Sequence, residues 1–445
     1  MSGPSGLLDA APASLEEYAA VGGGRGLERA LGMDRGDVIL EVTRSGLRGR
    51  GGGGFPTGQK WAAIAGAGAG ERFAVANGAE GEPATFKDRA LLRRNPYQVL
   101  EGLAIAAHAV GARRAFIGLK GVFHHEIARL RAAVEEMEAA DALGGVEVGV
   151  VLGPDHYLLG EETGLLEVIE GRDPLPRILR PFAQGLFGTA AGENPTLVNN
   201  VETLANVPHI LREGPGWLAR AGTEGSPGTM VFTVCGDVAR EGVVELPLGT
   251  PLRGLVEGFG GGVREGRLKA IVPGASNTVL LPEELDVPLD FDSMRRMGSG
   301  LGSGGFAVFG DGACVVQLAF RYSRFLWVES CAQCPPCKLG TDAVTQELAG
   351  IEAGRGDEGS LARILARART CTDGQRCALP TGESLLIQSL VHAFGEEFRE
   401  HLGRPCPRPG SVRFPKLEDL DEGAGRFRYD EDHARKQPDW TYGGP

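Results

Sequence analysis

Hydrophobic residues recur with two different periods in the first half of the chain. Short apolar runs predict strands at residues 72–77, 114–119 and 146–152. Apolar positions spaced three to four residues apart, together with helix-start signals, predict helices at 37–45, 95–110, 126–138 and 164–170 and one opening at Asn199. Because strands and helices alternate, this half is predicted to be an α/β domain built on a mostly parallel sheet.

The pattern changes from Gly228 onward. Short strands at 231–234, 242–250, 268–272 and 306–309 surround one predicted helix at 252–258, which indicates a small α+β module. The remainder is predicted to be helical at 314–327, 340–350, 360–368 and 382–401, followed by a charged, Pro-rich tail. We therefore predict four parts, at 1–222, 223–310, 311–403 and 404–445, the last as an extended tail.

Length and charge exclude several classes of protein. A chain of 445 residues is too long for one ordinary core. No run approaches the roughly 20 apolar residues of a membrane span, and the first residues lack the pattern of a secretory signal, so a cytoplasmic protein is expected. The net charge of −12 argues against nucleic-acid binding, which needs an excess of Lys and Arg.

Three cysteines in the segment 330–337 form the most specific chemical motif. Cys331, Cys334 and Cys337 have C-x2-C-x2-C spacing, which suits three corners of an iron–sulfur cubane. A zinc ribbon would normally use two separated pairs, a disulfide framework belongs to short secreted chains, and a thioredoxin-like pair would leave one cysteine idle. The motif therefore predicts a [4Fe–4S] cluster.

The fourth cluster ligand is either Cys371 or Cys377, and the spacing does not choose between them. The other three cysteines, Cys235, Cys314 and Cys406, are scattered. Cys235 and Cys314 lie in apolar runs, where a cysteine usually behaves as a small buried hydrophobe. No function is predicted for these three.

The segment 48–61 contains four consecutive glycines, flanked by Arg50 and Lys60. Backbone without Cβ atoms can wrap closely around an anion, and exposed N–H groups favour a phosphate. The segment is neither a Walker loop nor a Rossmann fingerprint, and by itself it could also be a flexible linker. Phe55, Pro56 and Trp61 argue for an ordered loop.

Five ordered motifs resemble one family. They lie at 46–58, 86–89, 160–163, 199–203 and 329–337. Together they resemble the NADH-oxidising flavoprotein of respiratory complex I, which is the F subunit of bacterial NADH-quinone oxidoreductase. The diaphorase subunits of NAD-linked formate dehydrogenases and hydrogenases share these motifs. The resemblance implies a Rossmann-like FMN-binding domain, a ubiquitin-like (β-grasp) domain and a helical bundle carrying the cluster.

The resemblance also implies the cofactors, the substrate and their residues. FMN would be bound by Gly49, Arg50, Gly51, Gly52, Lys60, Asn77, Glu80, Gly160, Glu161, Asn199, Asn200 and Thr203. NADH would be bound by Phe55, Glu82, Glu162 and Phe182, with the two aromatic rings near the adenine. Cys377 is implied as the fourth ligand because a small residue and Leu follow it. No catalytic side chain is named, since hydride transfer requires no side-chain acid or base.

The implied partners are a thioredoxin-like [2Fe–2S] subunit and further subunits of a redox complex, which could hold the chain at the cytoplasmic face of a membrane. The chain departs from the family pattern at Ala63, Ala79, 153–159 and 179–183. Most of these positions fall where NADH is expected, which predicts an altered nicotinamide site. Two alternatives to a quinone-reducing complex follow: a soluble NAD-linked formate dehydrogenase or hydrogenase, or an electron-transfer subunit that no longer oxidises NADH.

Overall fold

A parallel four-stranded sheet organises the first part of the molecule. The structure is a computed structural model that describes residues 6–68, 70–188 and 192–443. The strands are β1 (Phe73–Asn77), β2 (Arg114–Lys120), β3 (Glu147–Gly153) and β4 (Thr196–Asn200), in the order β3-β2-β1-β4. β1 is apolar and buried on both faces, as expected of a central parallel strand.

Nine helices accompany this sheet within the described residues. They are α1 (Leu15–Ala20), α2 (Arg25–Leu31), α3 (Arg35–Arg44), α4 (Thr57–Gly66), α5 (Lys87–Arg94), α6 (Pro96–Val110), α7 (His124–Ala139), α8 (Glu162–Ile169) and α9 (Val201–Glu213). The Asn95 side chain caps α6 by accepting from the Gln98 N–H at 3.2 Å, and nearly all of α6 is buried. The alternation predicted from the sequence is therefore present, with β4 as the strand that the apolar pattern missed.

A second, mixed sheet forms the middle part. Its strands are β5 (Thr229–Gly236), β6 (Gly242–Pro247), β7 (Leu268–Pro273) and β8 (Gly305–Gly310), in the order β6-β5-β8-β7. The central pair β5 and β8 is parallel, and both outer pairs are antiparallel. A six-residue π-helical turn at Gly254–Phe259 and the helix α10 (Phe291–Arg296) accompany the sheet.

The helices α11 (Val315–Glu329), α12 (Pro335–Glu352), α13 (Ser360–Thr370), α14 (Leu379–Ala393) and α15 (Gly395–Glu400) follow. α12 begins five residues before its predicted start, because Pro335 and Pro336 occupy the first helical positions, where the missing N–H costs nothing. The helix predicted at 382–401 is two helices, α14 and α15. No helix among the described residues is long and apolar enough to cross a membrane.

The tail differs from the extended arm predicted from its composition. Strands β9 (Leu417–Asp421) and β10 (Arg426–Tyr429) pair as an antiparallel hairpin. Beyond it, the fully buried Lys436 ammonium lies 2.8 Å from Glu329 Oε1, which His433 Nε2 also approaches at 3.0 Å. Burial alone would raise the pKa of Glu329, but the His433 hydrogen bond and the Lys436 charge hold it well below its usual range. These buried polar partners fasten the tail to the end of α11.

Glu383 on α14 provides a pH-dependent term in stability. Its carboxyl is buried, and Oε1 accepts from the Ser323 hydroxyl at 2.6 Å. Burial raises the pKa of Glu383 to about 8, against roughly 4.3 in an unfolded chain. The folded protein then binds one more proton between these values, so stability falls as pH rises through that window.

We expect a Glu383→Gln variant to lose this slope. Between pH 5 and 7.5 the free energy of unfolding of the wild type should fall by about 3 kcal/mol more than that of the variant. Urea unfolding at several pH values measures the difference. The exposed Glu396→Gln substitution serves as the control, and parallel pH profiles for the wild type and Glu383→Gln would contradict the assignment.

Candidate functional site

The candidate site lies where the parallel sheet reverses its strand order. β2 and β3 extend from one side of β1, and β4 pairs on the other, with Asn77 opposite Asn200 at the carboxyl ends. Open α/β sheets bind ligands in the crevice at such a switch point. Two predicted cofactor residues are therefore brought together by strand register alone.

The glycine-rich segment is an ordered loop above this crevice. Hydrogen bonds from Gly49 N to Phe55 O (2.9 Å) and from Thr57 N to Leu47 O (2.9 Å) close its base. Gly54 has a positive φ of 60°, and a Cβ there would lie 2.6 Å from the Phe291 ring. The linker alternative is excluded by this closure.

The tip of the loop has the features of an anion cradle. Within the described part of the chain, the backbone N–H groups of Gly51, Gly52, Gly53 and Gly54 donate to no protein acceptor. A Cβ at Gly51 would lie 3.1 Å from Asn200 Cβ, so glycine allows the loop to approach the strand end closely. Free N–H groups in a concave glycine loop suit a phosphate group.

Arg50 and Thr203 join the loop to the start of α9. Arg50 N donates to Thr203 Oγ1 at 2.9 Å, and the buried guanidinium donates to the carbonyls of Arg48 and Pro227. Arg50 Nε has no hydrogen-bond partner among the described residues. Burial lowers the pKa of Arg50 to about 10, so the group stays cationic at neutral pH.

Lys87 and Asp88 lie behind the asparagines, and the sequence reasoning gave them no role. The fully buried Lys87 ammonium is 2.6 Å from Asp88 Oδ1, 2.9 Å from Glu202 Oε2 and 3.2 Å from Asn200 Oδ1. Asn200 Nδ2 donates to Asp88 Oδ2 at 2.8 Å. These contacts fix the orientation of the Asn200 amide. The motif at 86–89 could have indicated this role. An adjacent Lys and Asp require partners of opposite charge once they are buried.

Two adjoining cavities open at the crevice and share Gly51, Gly53, Asn77, Gly160 and Asn200. The outer cavity, of about 570 Å³, is also lined by predicted residues from the loop, α4, α8, the α8–β4 connection, β4 and α9. They are Gly49, Phe55, Lys60, Glu162, Phe182, Asn199 and Thr203. The side chains of Phe55 and Phe182 are 57% and 54% exposed, so they flank an open mouth. Lys60 Nζ pairs with Glu162 Oε2 at 2.7 Å.

The inner cavity, of about 400 Å³, runs from the glycine loop to the cysteine region. It is lined by Gly52, Glu80, Glu82, Tyr157, Glu161, Ser276, Asn277, Ser303 and Cys377, among others. Ser276, Asn277 and Ser303 come from the middle part of the chain and were missed by sequence reasoning. They follow or precede strands of the second sheet, and only the packing of the two sheets brings them to the crevice.

Glu82 and Tyr157 form a buried pair in the inner cavity. The Tyr157 hydroxyl donates to Glu82 Oε2 at 2.5 Å, and Ala275 N donates to Oε1 at 2.6 Å. Burial raises the pKa of Glu82. Burial and the neighbouring Glu82 charge raise the pKa of Tyr157 well above its usual value. Tyr157 belongs to the segment 153–159 that departs from the family pattern, yet it contacts a predicted substrate residue.

Three of the predicted cofactor residues have their polar atoms engaged by the protein. Glu80 accepts from Asp88 N at 3.0 Å and pairs with Arg89 Nε at 2.9 Å. Glu161 caps α8 by accepting from Thr163 N at 2.8 Å and Gly164 N at 2.9 Å. Asn77 Nδ2 donates to Gly160 O at 2.8 Å. These contacts indicate that the three residues shape the cavity walls.

The cysteine motif lies between two helices. Cys331 follows the end of α11, Cys334 is the N-cap of α12, and Cys337 lies in its first turn. Gln333 Nε2 approaches Cys331 Sγ at 3.4 Å, and Lys338 Nζ donates to the Trp327 and Ser330 carbonyls at 3.0 and 3.1 Å. A helix N-terminus and a nearby ammonium both favour negatively charged sulfur ligands.

The two candidates for the fourth ligand have different surroundings. Cys377 lies just before α14 and lines the inner cavity; burial first, and then the neighbouring Cys331 thiolate, raises its pKa to about 12. Cys371 is fully buried, and its Sγ donates to the Ala368 and Pro380 carbonyls at 3.1 and 3.2 Å. Among the four sulfur residues, Cys337 is buried and Cys331, Cys334 and Cys377 are half-buried, and a metal cluster would compensate the charge of such thiolates.

Family models match three parts of the chain. The Nuo51 FMN-binding domain matches residues 42–209, the SLBB domain matches 231–277, and the NADH-ubiquinone oxidoreductase-F iron-sulfur binding region matches 317–401. Each match falls inside one of the predicted parts, whose boundaries stay a prediction.

Curated relatives match along most of the chain. The second NADH-quinone oxidoreductase F subunit of Rhizobium meliloti is 40% identical, covering 88% of this chain and 96% of the relative. The F subunit of the Streptomyces coelicolor NADH-quinone oxidoreductase is 41% identical, covering 88% and 89%. A chain of an NAD+-reducing [NiFe]-hydrogenase in the H2-reduced state superposes with a TM-score of 0.79 at 32% identity, covering 89% of this chain and 68% of that one.

The fold and the site together define a flavin- and iron–sulfur-dependent component of an oxidoreductase. The chain belongs to the family of NADH-quinone oxidoreductase F subunits. The predicted family, the fold class, FMN and the [4Fe–4S] cluster are confirmed by these matches. The relatives are subunits, so this chain is part of a multi-subunit redox complex.

Proposed function

We propose that the protein oxidises NADH at the two adjoining cavities and passes single electrons through the cysteine-bound cluster to a partner subunit. The observation that carries this proposal is the inner cavity, which is lined at one end by the glycine loop and at the other by Cys377. A ligand in this cavity would lie between the loop and the cluster. When bound there, FMN supplies a centre that takes a hydride and releases electrons one at a time to the cluster.

The loop and the strand ends would hold FMN. The free N–H groups of Gly51 and Gly52 and the positive charge of Arg50 would receive its phosphate, as glycine loops commonly receive anions. Asn199 is positioned by Trp61, whose Nε1 donates to its Oδ1 at 2.8 Å. Gly49, Lys60, Asn77, Glu80, Gly160, Glu161, Asn200 and Thr203 would complete the cradle.

The residues proposed for NADH divide between the two cavities. Phe55 and Phe182 line the outer cavity, where exposed rings can stack on an adenine. Glu162 lies beside them, and its charge would disfavour the extra phosphate of NADPH. Glu82, held by Tyr157 in the inner cavity, would lie near the nicotinamide end.

The departures from the family pattern line the same cavities. Ala63 and Arg180 line the outer cavity, and Ala79 lines the inner one. Small residues at Ala63 and Ala79 enlarge the cavities without removing the flavin cradle. This favours a second candidate, a subunit that keeps both cofactors but binds NADH weakly.

The cluster ligands proposed are Cys331, Cys334, Cys337 and Cys377. The partner proposed is a thioredoxin-like [2Fe–2S] subunit, which would accept electrons near the cluster. The complex would be a quinone-reducing one or a soluble hydrogenase or formate dehydrogenase. Support comes from the names of the relatives, an NADH-quinone oxidoreductase and an NAD+-reducing hydrogenase.

Anaerobic titration of the purified holoprotein tests the proposed function. Stepwise addition of NADH should bleach the flavin band and the cluster band to the same extent as dithionite. The flavin takes two electrons and the cluster one, so about one and a half equivalents of NADH should suffice for both bands. Bleaching by dithionite but not by millimolar NADH would favour the second candidate instead.

A further inference from the structure

A second group of sulfur and nitrogen ligands lies away from the proposed cluster site. Cys314 immediately precedes α11, His401 follows α15, and Cys406 lies at the start of the tail. Cys314 Sγ is 3.3 Å from His401 Nε2 and 3.5 Å from Cys406 Sγ. All three ligand atoms lie within 4.8 Å of one another. None of these residues is among the proposed cluster ligands.

We propose that Cys314, His401 and Cys406 bind a Zn²⁺ ion that fastens the tail to the helical region. In a tetrahedral zinc site, bond lengths of about 2.3 Å to sulfur and 2.0 Å to nitrogen place neighbouring ligand atoms roughly 3.6 to 3.8 Å apart. The observed separations of 3.3 and 3.5 Å are close to these values. A disulfide would need the sulfurs about 2.0 Å apart and would leave the histidine without a role.

The histidine is oriented as a metal ligand. Its Nδ1 lies 2.7 Å from the Glu397 carbonyl oxygen, which can only accept, so Nδ1 carries the proton. The lone pair of Nε2 then points toward the two sulfurs. Metal-binding histidines commonly donate their other ring N–H to a carbonyl in this way.

The charges around the site fit two thiolates and one divalent cation. The positive end of the α11 dipole adjoins Cys314. The Glu397 carboxylate is already engaged, by Lys269 Nζ at 2.6 Å and by Arg408 at 2.9 Å, so it is not the fourth ligand. Cys406 is half-buried, which leaves the fourth position to water.

The ion would join two regions that are distant in sequence, since Cys314 is 87 positions from His401 and 92 from Cys406. Its ligands tie the start of α11 to the end of α15 and to the tail. Neighbouring contacts already guide the tail here, since Cys406 N donates to Glu352 O at 2.9 Å and Val412 N donates to Gln317 Oε1 at 2.8 Å. The tail is therefore held at Cys406 by metal and at Lys436 by buried charge.

Metal analysis of the full-length holoprotein tests this site. After incubation with Zn²⁺ and gel filtration, we expect about one zinc per chain in addition to the cluster iron, retained against a weak colorimetric chelator. X-ray absorption at the zinc edge should show two sulfurs near about 2.3 Å and one nitrogen near about 2.0 Å. The half-buried Cys406→Ala should lose at least nine-tenths of the zinc and keep its iron and flavin.

Cys235→Ala serves as the matched control, because this cysteine is buried in β5 and is not part of the group. It should retain zinc at the wild-type level. Less than one-tenth of a zinc per wild-type chain would overturn the proposal, as would unchanged zinc in both Cys406→Ala and His401→Gln. A disulfide between Cys314 and Cys406 in the mass spectrum of the unreduced protein would also overturn it.

Discussion

A Cys377→Ala variant should lose the [4Fe–4S] cluster, while Cys371→Ala should keep it. Cys377 lines the inner cavity and neighbours the sulfurs of Cys331 and Cys334. The Cys371 thiol instead donates hydrogen bonds to the Ala368 and Pro380 carbonyls. Loss of one ligand should lower electron transfer to a cluster-dependent acceptor more than about 100-fold, since even second-layer partners of a metal cost 10- to 100-fold. Iron content and the electron paramagnetic resonance signal of the reduced protein measure the outcome.

Both variants replace a cysteine by alanine, and the two cysteines lie within the same seven-residue segment. Both should retain FMN, because the proposed cradle is on the other side of the inner cavity. Retention of a reducible cluster in Cys377→Ala, with its loss in Cys371→Ala, would assign the fourth ligand to Cys371.

A Lys87→Met variant should be strongly destabilised and should bind FMN poorly. Removing the ammonium leaves the buried Asp88 and Glu202 carboxylates without their cation. Breaking a buried ion pair in this way costs about 3 to 5 kcal/mol. Asn200 loses a partner at the same time, so we expect at least about tenfold weaker FMN affinity, equal to 1.4 kcal/mol. Urea unfolding and flavin retention on dilution measure the two effects.

Lys60→Met is the matched control for stability. Its ion pair with Glu162 has both side chains 29% exposed, and pairs accessible to solvent contribute about 1 kcal/mol or less. If the free energy of unfolding of Lys87→Met lay within about 1 kcal/mol of the wild-type value, the contacts of Lys87 would not be what positions the Asn200 amide.

Local patterns predicted most of the fold. The strands at 72–77 and 114–119 were predicted within a residue or two, because their apolar runs are bounded by polar residues and turns. β4 was missed, since Thr196–Asn200 has only two aliphatic residues and gains its burial from pairing with β1. The tail was misjudged for a similar reason. Its composition is polar, but Lys436 and His433 both pair with the buried Glu329 carboxylate, which is more than 100 positions away in the sequence.

The candidate site was predictable where one motif supplies several residues. The glycine loop and the three-cysteine motif are local, so spacing alone indicated an anion cradle and a cluster. Contacts between motifs were not predictable. Lys60 and Glu162, assigned to different ligands, pair with each other, and Tyr157 meets Glu82 only in the folded chain.

The remote cysteines show the same limit. Cys314 was expected to be a small buried hydrophobe and is indeed buried. Its neighbours His401 and Cys406 are 87 and 92 positions away. No spacing rule covers such a separation, so only the packing of α15 and the tail against α11 reveals the group.

Rapid mixing of the anaerobic holoprotein with NADH, followed at the flavin and cluster bands, tests the central claim most directly. If electrons enter at the glycine loop and leave through the cluster, the flavin band should fall first and the cluster band should follow. In Cys377→Ala, the flavin band should fall at the wild-type rate with no cluster phase. A cluster band that falls before the flavin band, or flavin reduction that is lost in Cys377→Ala, would contradict this order.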